Sequence, residues 1–341
     1  MTLPKTRLIV VFLIVTLLIS FLFNIALGQV SIPISDTVKS VFGWHASKET
    51  WDYIIVSFRV PKACTAMLVG IGLSVAGLLM QTLFRNPLAG PDVLGLSSGS
   101  SLGVAVVILG SSVVSPMLGS ILQSSYSTVI AACAGSFFVL LFVLTASKKI
   151  VDTASILIIG LLFSSFTSAI ISILTYFSTA EELQKFMFWS LGSLGNLTSK
   201  KIIILFICTV IGLLLAIISI KSLDSLLLGE NYAKSVGIDI KKSRNRMLLC
   251  ASILVGSCTA FVGPIAFIGL AVPHAAKLLF QTSKHKILLL GTALIGANAL
   301  LLCDTISQMP GFDFTLPINA ITSIFGAPIV IWLVLQKKKL S

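Results

Sequence analysis

Long apolar runs separated by short polar breaks occupy almost the whole chain, and the runs have helical length. Stretches near residues 8–28, 61–83, 94–114, 127–147, 153–176, 201–220, 246–264, 266–281, 287–307 and 317–335 are apolar throughout. About 20 residues at 1.5 Å each cross a hydrocarbon core about 30 Å thick. No alternation of apolar and polar positions competes with this reading. The pattern therefore predicts about ten transmembrane helices in an all-α integral membrane protein, built as a single transmembrane domain over residues 1–341.

The longest polar interruption runs from Lys221 to Arg246 and also carries Asp224, Glu230, Lys234, Asp239, Lys241, Lys242 and Arg244. Charge at this density belongs in water. The segments Ser222–Gly229 and Glu230–Gly237 read as two short helices, the first capped by Ser222 or Asp224 and broken at Gly229, the second stopped at Gly237. A folded, basic, two-helix loop is a surface that a soluble partner could hold.

An even number of spans puts both termini on one side. Placing them in the cytoplasm puts 17 of the 24 Lys and Arg residues inside, and Lys39, Lys48, Arg59, Lys62, Lys185, Lys200 and Lys201 outside, as the positive-inside rule requires. Composition agrees: 56% of residues are hydrophobic and 11% charged, against about 25% charged in globular proteins. The net charge of +12 is explained by this topology and not by nucleic acid. The first apolar run follows Lys5 and Arg7 but is too long for a leader's core, and reads as a retained span. Six cysteines lie in apolar stretches without paired spacing, so no disulfide framework or metal site is indicated. Three scattered histidines and the lack of a phosphate-binding G-x-x-x-x-G-K-[ST] loop argue that the chain is no enzyme and hydrolyses no nucleotide.

Several shorter features carry candidate roles. Trp44, Trp51 and Tyr53 suit an aromatic belt, and Arg59-Val-Pro-Lys62 places two cations at the outer mouth of the second span, facing the outer medium. Gly70, Gly72, Ser74, Ala76 and Gly77 prepare that span for close helix packing. In Gly95-Leu-Ser-Ser-Gly99-Ser-Ser-Leu-Gly103 the spacing favours tight packing, while the serines could line a path. Asp304 is the one acid deep in a span, where an ionisable residue is a functional candidate by default or reaches the outer interface. His274 has no second ligand at metal spacing and reads as a helix-end histidine.

Taken in order, Arg59-Val-Pro-Lys62, Gln81-x4-Asn86-Pro-Leu-Ala-Gly-Pro-Asp92-x2-Gly95-Leu-Ser-Ser-Gly99, Leu228-Gly-Glu230-x2-Ala233-x3-Gly237, Gly263-Pro-Ile-Ala-Phe-Ile-Gly-Leu-Ala-Val-Pro-His274-x2-Lys277, Leu316-Pro317 and Gly326-Ala-Pro328 resemble the iron-chelate and cobalamin class of ABC importer permeases, the FecCD family. The resemblance covers essentially the whole chain. It implies a type II ABC importer permease that pairs with a second copy or a paralogue in the bacterial cytoplasmic (inner) membrane, binds two ABC ATPase subunits, and takes cargo from a soluble binding protein. ATP and Mg would sit on the partner ATPase, and no cofactor on this chain. It also implies a coupling role for Leu228, Gly229, Glu230, Ala233 and Gly237, and docking of the binding protein at Arg59 and Lys62. The third, fifth, eighth and tenth spans would line the path, with Gly95, Ser97, Ser98, Gly99, Pro273 and His274 on it and the Asp152, Thr153 and Ser155 turn as inner gate. The chain departs from the family pattern at Gln308, Thr315, Asn319 and Lys277. The expected function is import of a ferric siderophore by alternating access, with haem or cobalamin as alternative cargo and an ion-driven secondary carrier as the alternative class.

Overall fold

The computed structural model describes residues 3–110, 125–149, 153–195, 197–309 and 314–337, and among them every regular element is helical. The chain runs through α1 (Leu3–Ala26), α2 (Ile34–Val41), α3 (Glu49–Ile54), α4 (Val60–Leu83), α5 (Leu96–Ile108), α6 (Ser125–Lys149), α7 (Thr153–Phe177), α8 (Ala180–Ser190) and α9 (Ser199–Ile218). It continues through α10 (Ile220–Leu227), α11 (Glu230–Ser235), α12 (Ile240–Val262), α13 (Ile268–Phe280), α14 (His285–Ser307) and α15 (Ile318–Lys337). Seven helical segments are long and apolar enough to cross a membrane, and α5, α13 and α15 are shorter apolar helices over their described parts. Together they match the ten expected runs one for one.

Burial separates inner helices from outer ones. In the most apolar window of α4, 78% of residues are buried, against 22% in α1 and in α7. Small residues allow this. A side-chain carbon at Gly70 would meet the Gly296 carbonyl oxygen at 2.2 Å, and one at Gly77 the Gly269 oxygen at 1.7 Å, so α4 packs backbone to backbone on α14 and α13. Gly99 and Gly103 similarly seat α5 on Gly135 and Ala131 of α6. The packing expected from the glycine spacing is therefore present.

Three local expectations are corrected. The second span does not begin at residue 61, because α3 passes through a π turn (Ile55–Arg59) directly into α4. Pro61 supplies no N–H to the turn before it, which favours this widening. Arg59 does not face the outer medium. It is 8% exposed and donates to the carbonyls of Ile25 (2.7 Å), Ala26 (2.8 Å) and Val30, closing the C-terminus of α1, whose last carbonyls have no helical partner. Nor do Ser222 or Asp224 cap α10, which begins before them at Ile220 and has no side-chain cap. Between the fifth and sixth spans lies α8, whose start is closed by a capping box between Thr179 and Glu182.

Candidate functional site

A cavity of about 560 Å³ lies between α5, α7, the loop entering α13, and the start of α15. These are the third, fifth, eighth and tenth runs. Ser97, Ser98 and Ser101 of α5 line it, with Asp92 from the 3-10 turn Pro91–Leu94. Thr167, Ser168 and Ser172 of α7 face them, and Asn319 stands on α15. The α5 helix thus separates its functions by face, with glycines on α6 and serines on the cavity. Four of the six lining hydroxyls are committed as donors. Ser97 Oγ donates to Asp92 Oδ1 at 2.6 Å, Ser101 to the Ser97 carbonyl, Thr167 to Ser164 and Ser172 to Ser168. Their oxygens remain available as acceptors along the wall.

The third wall is not helical. Between Gly263, at φ +80°, and α13 the chain is irregular, and Pro264, Ile265 and Ala266 line the cavity. Non-helical backbone within a membrane protein is tolerated where it borders such a space. Asn319 Oδ1 accepts from the Ala266 N–H at 3.0 Å, which gives this departure from the family's glycine a structural use. Phe267 adopts a left-handed conformation (φ +67°), and a side chain at Gly326 would come within 2.3 Å of its Cβ. The Gly326-Ala-Pro328 motif therefore makes room for the strained turn at the cavity. Gly95 (φ +76°) starts α5 from a left-handed turn packed on Gly160. Pro273 is buried inside α13, His274 follows it half-buried, and neither is among the described cavity walls. Asp152 lies outside the described residues, Thr153 begins α7, and Ser155 is half-buried in its first turn.

The polar loop folds as the two short helices expected. Gly229 (φ +120°) separates α10 from α11, and Gly237 (φ +83°) ends α11 with Ile238 N–H donating to the Ala233 carbonyl and Gly237 N–H to that of Lys234. This paired bonding requires the left-handed glycine. Asp239 then caps α12 by accepting from Lys242 N–H, which holds its carboxyl below the usual range. Leu227, Leu228, Tyr232 and Val236 are exposed, Glu230 is half-buried in the first turn of α11, and Ala233 is fully buried. Ala233 thus supports the loop's fold and does not contribute to its outer face.

At the other end, Lys62 Nζ lies 3.0 Å from Asp304 Oδ1, and Asp304 Oδ2 accepts from Asn24 Nδ2 (2.9 Å) and Gln308 Nε2 (3.0 Å). Asp304 is 1% exposed, so it does not reach an outer interface but is neutralised inside the protein. Gln308, another departure, is a structural donor here. Thr315 is exposed and lines a cavity of about 350 Å³ beside this pair. The sequence reading missed Asn24, Thr167, Ser168 and Ser172. The last three recur on one helical face of the fifth run, a spacing visible in the sequence.

Ten apolar helices among the described residues, a hydroxyl-lined cavity bordered by α5, α7 and α15, and a folded polar loop define a multi-pass transport permease. The chain belongs to the FecCD transport family, whose model matches residues 16–336. It is 31% identical over 336 residues to the hemin transport system permease protein HmuU of Yersinia pestis, covering 98% of this chain and 97% of that one. It is 30% identical to the vitamin B12 import system permease protein BtuC of Shigella boydii, covering 95% and 94%. A solved inward-facing structure of a metal-chelate type ABC transporter superposes with a TM-score of 0.84 at 28% identity, covering 97% of this chain and 99% of that one. The chain is thus a permease of the ABC-importer type.

Proposed function

We propose that this chain is the translocation subunit of an importer for an iron chelate, of ferric siderophore type, working by alternating access in a bacterial cytoplasmic membrane with both termini inside. The observation that carries this reading is the cavity of about 560 Å³ walled by the third, fifth and tenth helices and the loop that enters the eighth, in a FecCD-family chain. Its described lining has neutral hydroxyls, one acid and no Lys or Arg. Such a wall suits a bulky chelate that must enter and leave, because weak contacts avoid trapping the cargo. A second permease copy or paralogue would complete the path, and Asp152 to Ser155 would form the inner gate.

The exposed Leu228 and Tyr232 on either side of Gly229 and Glu230 support the loop as the seat of an ABC ATPase, with one ATPase subunit for each permease copy. Lys62, 21% exposed at its side chain, retains a position from which to orient a soluble binding protein, whereas buried Arg59 would act by shaping the rim. Haem is the second reading for cargo, favoured by the 31% identity to a hemin permease.

Uptake of labelled ferric siderophore, haem and cobalamin into cells with and without the protein tests the reading. Siderophore uptake that vanadate stops and a proton uncoupler spares is the expected result; uncoupler-sensitive, vanadate-resistant uptake would replace it with a secondary carrier. Within the same assay, Ser168→Phe should narrow the cavity and slow uptake by about tenfold, a barrier increase of about 1.4 kcal/mol, with membrane insertion unchanged by immunoblot. Gly237→Val should strain the left-handed turn by about 1–2 kcal/mol and abolish uptake while the chain still inserts.

A further inference from the structure

The side chains that expectation assigned to capping α10 do something else. Asp224 Oδ1 accepts from the backbone N–H of His285 at 2.9 Å and from its ring Nδ1 at 2.7 Å. The carboxylate therefore caps the N-terminus of α14 from another helix, where negative charge is favoured. On the far side of the imidazole, Nε2 lies 2.9 Å from Thr82 Oγ1, in the last turn of α4. The next residue back, Gln81, accepts from Lys277 Nζ of α13 at 3.1 Å and donates to the Leu270 carbonyl at 3.0 Å. His285 is 1% exposed and Gln81 and Thr82 are 3% exposed, so the middle of this arrangement is sealed from water, while the Asp224 side chain at its loop end is 43% exposed.

Two hydrogen-bonded sets, Asp224–His285–Thr82 and Lys277–Gln81–Leu270, meet at adjacent residues of α4 and so join α10 of the polar loop to α14, α4 and α13 of the bundle. The α10 helix is also seated by buried Leu223 and Leu226, and Ser243 Oγ of α12 lies 3.0 Å from Ser222 Oγ. The apolar contacts hold α10 to the bundle but allow sliding. The hydrogen-bonded line is directional, and a buried donor or acceptor left without its partner costs about 1–3 kcal/mol. Its far end is on α13, whose entry loop walls the cavity.

We propose that Asp224, His285 and Thr82, extended by Gln81 and Lys277, form the joint through which movement of the loop reaches the cavity, with Asp224 and His285 as positioning residues for coupling. This rests on the reading of the loop as the ATPase seat. The joint makes α10 and α14 move as one body, so that displacement of the loop is delivered to α4 and α13 and not absorbed between α10 and the bundle.

The test uses the full chain with the ATPase that co-purifies with it, reconstituted in proteoliposomes, with ATP hydrolysis and ferric siderophore uptake measured together. In Asp224→Ala the amount of ATPase retained and its hydrolysis should stay within about twofold, while uptake per ATP falls by about tenfold, within the range of ordinary coupling energies. Asp224→Asn keeps an oxygen that accepts from both His285 donors and should recover uptake per ATP to within about threefold. Thr82→Val, similar in shape but without the hydroxyl, should fall between them. A merely structural role would instead lower retained ATPase, hydrolysis and uptake in proportion, and that result overturns the joint. An unchanged uptake per ATP in Asp224→Ala overturns it equally. Failure of the loop reading is distinguishable, since Leu228→Asp would then leave the retained ATPase unchanged.

Discussion

Gly77→Val is expected to yield little or no folded protein. A side-chain carbon at this position would sit 1.7 Å from the Gly269 carbonyl oxygen and 2.5 Å from its carbon. The obstacle is backbone, so no rotamer change relieves it. Helices α4 and α13 would have to separate, and Gly269 is itself closely packed, since a side-chain carbon built there would lie 2.7 Å from the Pro91 ring and 2.9 Å from the Leu73 carbonyl oxygen of α4. Overpacking in a close-packed interior costs about 1–3 kcal/mol and more when backbone must move; at this contact the upper end or beyond is expected. Size-exclusion chromatography of the detergent-extracted protein and its thermal unfolding midpoint would measure the loss. Gly195→Val is the control, because its backbone is not left-handed and a side-chain carbon there meets only the Lys62 side chain, at 3.8 Å. Equal stability of the Gly77 and Gly195 variants would show that the two helices are not in backbone contact.

The second large effect concerns the pair between α4 and α14. Lys62→Ala removes the only cation within bridging distance of Asp304 among the described residues and leaves a 1% exposed carboxylate with two amide donors, from Asn24 and Gln308. Breaking a buried ion pair from one side costs about 3–5 kcal/mol, because a charge remains without compensation. Lys62 is itself 21% exposed, so the lower end, about 3 kcal/mol, is expected. The double variant Lys62→Ala with Asp304→Asn removes both charges and should recover most of the loss. Thermal unfolding of the two single variants and the double variant forms a cycle. Additive losses in that cycle would show that the two groups do not interact. Because Lys62 is also the candidate contact for the binding protein, Asp304→Asn alone should free it and change the salt dependence of docking more than its strength.

The ten apolar helices were legible with their ends within about six residues, as were the two-helix loop and the glycines that end its parts, whereas α2 and α3 were not. Gly229 and Gly237 could be located because a positive φ is a demand that a residue meets alone. The small-residue faces of α4 and α5 were visible as spacing, and their partners Gly296, Gly269 and Gly135 were not. Arg59 read as an outward cation because the sequence does not show that the C-terminus of α1 ends beside it with open carbonyls. Asp224 read as a cap for its own helix, whereas the N–H groups it serves belong to α14, distant in the chain.

By itself, then, the sequence determined that this is a helical membrane protein of about ten spans, that its longest polar loop folds as two short helices, and which family its motifs resemble. Those properties follow from hydropathy, charge and backbone preference, each of which depends on a residue and its near neighbours. The tertiary structure alone decided which polar groups neutralise one another, which face of α5 looks into the cavity, and that two sets of hydrogen bonds meeting at Gln81 and Thr82 join α10 to α14, α4 and α13. These depend on how each helix is rotated about its axis and set against distant partners. Backbone approach through glycines and the need to pair every buried charge fix those rotations, and neither is expressed in any one stretch of chain.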